Sequence, residues 1–286
     1  MATNYYVDAD KADDTGDGLT MGNAKKHISA VLELLSFPLT AETIIHLKKD
    51  TTASYEETSG YLVFSNVTRQ GVIPLLVIQS ENWNQTYYAA DLDPITGTGA
   101  LAPTAAKRCT LTAGILVCEG SVVEFRGLAV EPETSRAAFQ VTGYSRARFI
   151  YCRADNAEVG FLANKHASAV LQNCCADTCD HGAAAVEKAT MEVEGNNFFL
   201  ESKVAGLTAY LDSVVTVNPW DEHPSDYCTL EIRTTAKALR RNYAAILVKL
   251  RSTVAVSGTG DEALHPGVAI VKIIKEDPTL QETYYG

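Results

Sequence analysis

The stretch FLANKHASAVLQ, residues 161–172, contains two short segments in which apolar residues occupy every second position. Phe161 and Ala163 share one face of the first segment, and Ala169 and Leu171 share one face of the second. A period of two places alternate side chains on opposite faces of a β-strand. This stretch therefore predicts two short strands separated by a bend.

The same pair of segments recurs from about Gly114 onward. In seven pairs the second member follows the first by eight residues: Ile115/Val123, Phe139/Ala147, Phe161/Ala169, Ala183/Met191, Leu207/Val215, Leu230/Ala238 and Ile246/Val254. First members are 24, 22, 22, 24, 23 and 16 residues apart, so the connecting arm varies while the two strands keep their spacing.

Repeats of this kind predict a β-solenoid, whose parallel coils bury their inner residues against neighbouring coils about 4.8 Å away. Gly127, Tyr151, Asn173, Gly195 and Pro219 each follow a second strand, and three of these types favour turns. A leucine-rich repeat or another all-β fold is the alternative, because 188–198 loosely fits the leucine-rich consensus. However, two strands recur here and helical spacing is absent.

The N-terminal region predicts a strand, a loop, a helix and a second strand. Tyr5–Val7 is the first strand, an Asp/Gly-rich loop follows, Ala24–Leu35 is an amphipathic helix, and Thr43–Leu47 is the second strand. The helix presents Ile28, Val31, Leu32 and Leu35 on one face. We expect it to cap the first coil, because the end of a solenoid needs cover.

These observations divide the chain into three parts. Residues 1–42 form the N-terminal strand, Asp/Gly loop and capping helix. Residues 43–257 form the parallel solenoid, which includes a long loop at 79–108, and residues 258–286 form a C-terminal extension or cap. Within that extension, Val268–Lys275 (VAIVKIIK) is expected to cover the last coil or to pair with a neighbouring chain.

Three consecutive N-terminal segments resemble the opening of pectin-lyase-like right-handed parallel β-helix proteins, especially phage tail spikes and fibres. They are YYVDADKADDTGDGLT (5–20), AKKHISAVLELL (24–35) and ETIIHLKKDTTASYEE (42–57). The resemblance implies an all-β, right-handed parallel β-helix with an N-terminal capping α-helix. It also implies a homotrimeric virion protein. Relatives with this fold include pectate lyases, polygalacturonase-like hydrolases and virion depolymerases.

Composition and charge restrict the partners. The 286 residues carry a formal charge of -11, which repels nucleic acid and anionic membrane, so neither is expected as a partner. We recognise no secretory leader and no membrane span, and the seven cysteines are therefore expected to be reduced. The resemblance then places the protein in a phage particle made in the bacterial cytoplasm.

The sequence offers two candidate metal sites, of which neither is favoured, and no cofactor is expected. Cys174, Cys175, Cys179 and His181 lack the paired spacing of ordinary zinc modules. Cys152, Cys174 and Asn196 are instead expected to stack at the turn after the second strand, as buried residues. The Asp-rich loop is not an EF-hand, because its twelfth position is Ala24, although a weak ion site remains an alternative to turn capping.

The catalytic candidates are Asp155, Asp177 and His181. Stacked coils would hold the two carboxylates about 5 Å apart, which suits a retaining glycosidase. The sequence Asp180-His181-Gly182 resembles the G-H-G element of polygalacturonase-like enzymes, but their other elements are absent. We favour the interpretation that these acids solvate turns, so no catalytic residue is assigned.

The ligand-binding candidates are aromatic and acidic residues in two long excursions, namely Trp83, Tyr87, Tyr88, Trp220 and Asp221. Flat aromatic faces beside carboxylates suit sugar rings. The competing interpretation, which we prefer, is that the aromatic rings fill a subunit interface or fold back over the solenoid.

The sequence thus predicts a noncatalytic structural β-helix subunit of a phage-like particle: a tail fibre, spike or decoration protein. Expected partners are two further copies in a homotrimer, other virion proteins and a host-surface polysaccharide. Two alternatives stay open. One is a polysaccharide lyase or glycoside hydrolase that acts as a depolymerase, and the other is a carbohydrate-binding module.

Overall fold

Short β-strands and one short α-helix make up the part of the chain that the computed structural model describes. That part comprises residues 2–49, 51–56, 60–68, 76–81, 83, 109–133, 136–218, 228–234, 237–242, 245–249, 252–257 and 273–274. The helix, α1, spans Ile28–Leu32.

The strands of the first half are β1 (Thr3–Val7), β2 (Thr43–Leu47), β3 (Tyr61–Ser65), β4 (Leu76–Ser80), β5 (Cys109–Leu111), β6 (Gly114–Cys118), β7 (Val122–Arg126), β8 (Leu128–Val130), β9 (Ala137–Val141), β10 (Arg146–Ile150), β11 (Arg153–Asp155) and β12 (Val159–Asn164). Those of the second half are β13 (Ser168–Gln172), β14 (Cys175–Asp177), β15 (His181–Val186), β16 (Thr190–Glu194), β17 (Asn196–Ser202), β18 (Ala205–Tyr210), β19 (Val214–Asn218), β20 (Cys228–Thr234), β21 (Lys237–Asn242), β22 (Ala245–Lys249), β23 (Ser252–Ser257) and β24 (Ile273–Ile274).

These strands form three parallel sheets. Sheet 1 has the order β1-β2-β4-β7-β10-β13-β16-β19-β22-β24, sheet 2 the order β5-β8-β11-β14-β17-β20-β23, and sheet 3 the order β3-β6-β9-β12-β15-β18-β21. From β4 to β23 the chain passes from sheet 1 to sheet 2, to sheet 3 and back to sheet 1. The mostly β, parallel architecture predicted from the repeat is confirmed, and it is consistent with a parallel β-solenoid.

The core lies between the three sheets and consists of columns of residues stacked in register. The rings of Phe125 and Phe149 stack in sheet 1 with centroids 5.4 Å apart, and those of Phe139 and Phe161 stack in sheet 3 at 4.9 Å. All four side chains are fully or almost fully buried. Because the coils are parallel and in register, the inner residues of successive coils lie above one another, and each buried ring contributes roughly 1.5–3 kcal/mol.

The first five predicted strand pairs are confirmed. Their first members form one column in sheet 3, which is Ile115, Phe139, Phe161, Ala183 and Leu207. Their second members form one column in sheet 1, which is Val123, Ala147, Ala169, Met191 and Val215.

The last two predicted pairs are wrong, because they take strands from other sheets. Leu239, rather than Leu230, is the register partner of Leu207 in sheet 3, and Leu230 lies in sheet 2. Ile246 is the register partner of Val215 in sheet 1 and is therefore a second member rather than a first. The step of 16 residues is accordingly not the length of a coil.

The prediction of two strands per coil also needs correction, because sheet 2 supplies a third. Its strands β8, β11 and β14 have three residues each, which is too short for alternation to appear in the sequence. These strands lie inside the segment that the repeat left as a variable arm.

The bends between sheet 1 and sheet 2 lie where the turn-prone residues predict them. Gly127, Tyr151, Asn173 and Gly195 have φ angles of 63°, 52°, 54° and 68°. This left-handed region suits glycine and asparagine. A residue in this conformation bends the chain out of sheet 1 and into sheet 2 without reversing its direction. Pro219, the fifth predicted bend residue, lies outside the described residues.

The N-terminal strands are confirmed, but the helix is shorter than the predicted Ala24–Leu35. The backbone N–H of Lys25 donates to the carbonyl of Tyr6, and Lys25 bridges Val7, so the chain before Ile28 is bound to β1. Ile28 and Val31 are buried in the core. Leu32 and Leu35 are partly buried against that core, as the amphipathic face predicts.

The ends of the predicted solenoid are described in part. β1 is the outermost strand of sheet 1 and pairs with β2 in register. Within Val268–Lys275, Ile273–Ile274 forms β24 and pairs with Val248 and Lys249. Of the predicted loop 79–108, Gln79 and Ser80 end β4, and Glu81 and Trp83 are the other described residues.

Candidate functional site

The two predicted carboxylates lie opposite each other in sheet 2. Asp155 ends β11, Asp177 ends β14, and the two residues are register partners. Ala154 and Ala176, one position earlier, point into the core and are completely buried. Because side chains alternate along a strand, both aspartates lie on the outer face.

Arg153, two residues before Asp155 on the same outer face, binds both carboxylates. Its Nε donates to the two carboxylate oxygens of Asp155 at 2.8 and 2.7 Å, and a terminal nitrogen donates to Oδ2 of Asp177 at 2.8 Å. The three side chains are only 11–20% exposed. A single guanidinium therefore lies between the like charges that adjacent coils bring together and offsets part of their repulsion.

Burial dominates the ionisation of this group. It raises the pKa of Asp155 above its ordinary value, and Arg153 opposes that rise while Asp177 and Glu131 add to it. Burial on its own would lower the pKa of Arg153, but its hydrogen bond to Asp155 and the surrounding negative charge raise it. Arg153 therefore stays charged whenever either carboxylate is ionised.

This arrangement differs from what a retaining glycosidase requires. Such an enzyme uses one protonated carboxyl as acid and one free carboxylate as nucleophile. Here both carboxylates accept hydrogen bonds from the same cation, as in an ion-pair cluster that stabilises a stack of coils.

The third catalytic candidate, His181, lies at the start of β15 in sheet 3. Its Nδ1 is 2.9 Å from Oγ1 of Thr208 on β18, the neighbouring strand of that sheet. Asp180 lies 3.7 Å from Nζ of Lys203. His181 thus belongs to sheet 3, whereas Asp155 and Asp177 belong to sheet 2.

The cysteines of the considered zinc site behave as small core residues. The thiol of Cys174 donates to the carbonyl of Phe149 at 3.2 Å, and burial raises the pKa of Cys179 to about 12. Burial in the core therefore favours the protonated thiol, as expected for a small core residue. Among the described residues, no group of three or more His, Cys, Asp or Glu side chains could hold a metal ion.

The predicted stack of Cys152 and Cys174 is confirmed, but its third member is Asn197 rather than Asn196. In the register of β14 and β17, Cys175 is paired with Phe198, so Asn197 lies above Cys174. Oδ1 of Asn197 accepts the backbone N–H of Cys174 at 2.9 Å. The coil between Cys174 and Asn197 is therefore one residue longer than the 22-residue spacing on which the prediction of Asn196 rested.

Aspartates of the N-terminal loop cap turns and join segments. Asp13 accepts hydrogen bonds from the backbone N–H and hydroxyl of Thr15, and Asp17 accepts one from the N–H of Leu19. Asp10 binds the distant segment at Thr52 through that residue's N–H and hydroxyl. These contacts use the carboxylate oxygens as hydrogen-bond acceptors.

Of the predicted ligand-binding residues, Trp83 is described and rests against the solenoid. Its ring lies 5.8 Å from the buried ring of Tyr151 and 6.0 Å from the guanidinium carbon of Arg126. This placement matches the interpretation that the aromatic residues fold back over the coils. Tyr87, Tyr88, Trp220 and Asp221 lie outside the described residues.

A second cluster, which the sequence did not single out, lies at the turns between sheet 3 and sheet 1. We call it the turn column. It consists of five stacked two-residue turns with both φ angles positive: Glu119–Gly120, Gly143–Tyr144, Lys165–His166, Glu187–Lys188 and Leu211–Asp212. The eight-residue offset between paired strands was visible in the sequence. However, the two central residues of these turns have no residue type in common from coil to coil.

Backbone hydrogen bonds join successive turns of the column. The N–H of Gly120 donates to the carbonyl of Gly143 at 3.2 Å, and the N–H of Tyr144 donates to that of Lys165 at 3.3 Å. The rings of Tyr144 and His166 stack at 4.9 Å with an interplanar angle of 7°. The column therefore presents a regular ladder of exposed side chains.

Comparisons with known proteins give no family for this chain. No protein-family model, curated protein or solved structure matches it. In the described part of the chain, no helix is long and apolar enough to cross a membrane.

Proposed function

We propose that the protein is a noncatalytic structural subunit of a phage-like particle, such as a tail fibre, spike or decoration protein. The observation that carries this proposal is the continuous parallel stacking of sheet 1, from β1 near the N-terminus to β24. Coils joined by hydrogen bonds along their whole length make a stiff rod. The resemblance of residues 5–57 to tail-spike openings supports the same function.

The finer architecture belongs to this proposal. The coils wind in the right-handed sense, as in the pectin-lyase-like proteins that the N-terminal segments resemble. Helix α1 caps the first coil, because Ile28 and Val31 contribute to the core beside the outermost strand of sheet 1. Covering this end protects backbone groups of the terminal coil from pairing with other chains.

The subunit assembles as a homotrimer and contacts other virion proteins, with a host-surface polysaccharide as its ligand. The test is a solution mass by light scattering. We expect about three times the 30.8 kDa of one chain. A stable monomer would contradict the trimeric assembly and favour a small enzyme or a binding module.

The absence of catalysis is tested separately. The protein is incubated with bacterial surface polysaccharides, and reducing ends and unsaturated products are measured for the wild type and Asp155→Asn. We expect no product from either protein, because Arg153 binds both carboxylates of the candidate pair. Product formed by the wild type and lost in Asp155→Asn would establish a depolymerase instead.

A further inference from the structure

The most exposed large aromatic side chain in the described residues belongs to the turn column. Tyr144 is 73% exposed, and one face of its ring is stacked on the ring of His166 in the next coil. The two planes are nearly parallel, so the second face of the Tyr144 ring is turned away from His166.

The preceding coil has no side chain at the matching position. Arg146 pairs with Val122, so Tyr144 lies in register with Gly120 two residues earlier. A Cβ atom added to Gly120 would have no other atom within 4 Å. The position in register with Tyr144 on the preceding coil, about 4.8 Å away, is therefore open space rather than a side chain.

Polar groups border this space. Glu119 precedes Gly120, is exposed, and accepts a hydrogen bond at 2.7 Å from the side-chain amide of Asn66 in the coil before. The carboxylate accepts further hydrogen bonds, and the amide of Asn66 offers a second donor hydrogen and a carbonyl acceptor. A flat apolar face thus lies beside a donor and acceptor pair.

We propose that this space, bounded by Tyr144, Gly120, Glu119 and Asn66, binds one pyranose ring of a neutral saccharide. The C–H face of the sugar stacks on the open face of Tyr144, at about the separation that His166 has on the other side. Sugar hydroxyls donate to Glu119 and exchange hydrogen bonds with Asn66. An acidic sugar is disfavoured because its carboxylate would approach that of Glu119.

This inference deepens the proposed function, because it gives the host-surface ligand a site and a chemical class. It places that site in the turn column rather than at Trp83, whose ring already packs against Tyr151.

The positive φ angles of the column determine which substitutions are informative. Asparagine tolerates this region, as Asn66 shows with a φ of 56°, so replacements by asparagine avoid backbone strain.

The test is saturation-transfer NMR on the full chain with methyl glucopyranoside, methyl galactopyranoside and methyl mannopyranoside as separate probes. We expect at least one probe to receive saturation on the protons of one ring face. Tyr144→Asn removes the stacking ring, and Gly120→Asn fills the space while keeping the tyrosine. Each variant is expected to weaken binding about tenfold, the loss that one aromatic stacking contact gives.

The matched control is Leu211→Asn, which changes another exposed residue of the same column, also at positive φ. It should leave saturation transfer unchanged. Equal transfer in all four proteins, or no transfer from any probe to the wild type, would overturn the saccharide site. A change of solution mass in Tyr144→Asn without loss of transfer would instead assign the residue to a subunit interface.

The two proposals can fail independently. A monomeric protein that still binds a pyranose at Tyr144 would contradict the trimeric particle subunit and keep the site. A trimer without saturation transfer would keep the particle subunit and remove the site.

Discussion

Arg153 shows how a single residue makes a stack of like charges tolerable. Parallel coils in register place identical positions about 4.8 Å apart, so Asp155 and Asp177 would repel each other without a cation between them. The guanidinium fork binds both carboxylates at once, which the single ammonium of a lysine would not match in geometry. The sequence predicted that these two aspartates are stacked on adjacent coils, but not the short strands that carry them or the cation that lies between them.

Replacing this cation should destabilise the protein. Arg153→Met leaves two largely buried carboxylates without a counterion, and we expect the free energy of unfolding to fall by roughly 2–4 kcal/mol. Urea denaturation followed by circular dichroism measures the change. The matched control is Arg136→Met, because Arg136 is 90% exposed and lies 3.9 Å from Glu158, so its loss should change stability by less than about 0.5 kcal/mol. Similar losses in both variants would show that Arg153 is not a structural counterion.

A second residue-scale prediction concerns Asp14 and pH. Burial opposes the ionisation of Asp14, but hydrogen bonds from the ring and backbone of His27 and from the N–H of Lys26 outweigh it. The pKa of Asp14 is therefore lowered from 3.8. A carboxyl with a lowered folded-state pKa stabilises the protein above its ordinary pKa and loses that contribution as the pH falls through the folded-state value.

We therefore compare the wild type with Asp14→Asn by urea denaturation across this range. At neutral pH the variant should be less stable by about 1 kcal/mol, because it loses charge-assisted hydrogen bonds at a partly exposed position. The difference should shrink as the pH falls from about 5 to about 3. A difference that is constant over this range would contradict the assigned role of the charge.

At the scale of elements, glycines let sheet 3 approach sheet 2 closely. A Cβ atom on Gly182 would lie 2.6 Å from Cγ of Phe199 and 2.6 Å from the carbonyl oxygen of Gly206. Gly160, one coil earlier, would place its Cβ 2.5 Å from the carbonyl oxygen of Gly182. These glycines lie above one another, so the corner between β14 and β15 is narrow through several coils.

Gly182→Ala should accordingly cost about 2–3 kcal/mol of unfolding free energy, because backbone and a buried ring must both move. Thermal or urea denaturation measures this loss. Gly22→Ala is the control, since its nearest atom would be Oγ1 of Thr20 at 3.9 Å, and its stability should change by no more than about 0.5 kcal/mol. If Gly182→Ala were as stable as the control, sheets 2 and 3 would not be in close contact at this corner.

At the scale of the whole molecule, stability comes from neighbouring coils rather than from any coil by itself. A single coil exposes its inner residues above and below, whereas stacking buries columns such as that of Phe139 and Phe161. Sheet 1 joins the described coils from β1 to β24. A rod built in this way suits the structural function that we propose.

The sequence by itself determined the parallel all-β architecture, the inner residues of sheets 1 and 3 in the first five predicted pairs, and four of the bend positions. These properties are encoded locally, because alternation within five or six residues decides which side chains face inward, and residues such as Gly127 and Asn173 favour the left-handed region. Tertiary structure decided the third sheet and the register of the last coils, since three-residue strands carry no periodic signal. It also decided that Arg153 bridges two aspartates and that Tyr144 stacks on His166. Those contacts join residues of neighbouring coils, and they depend on arm lengths that no local pattern of side chains specifies.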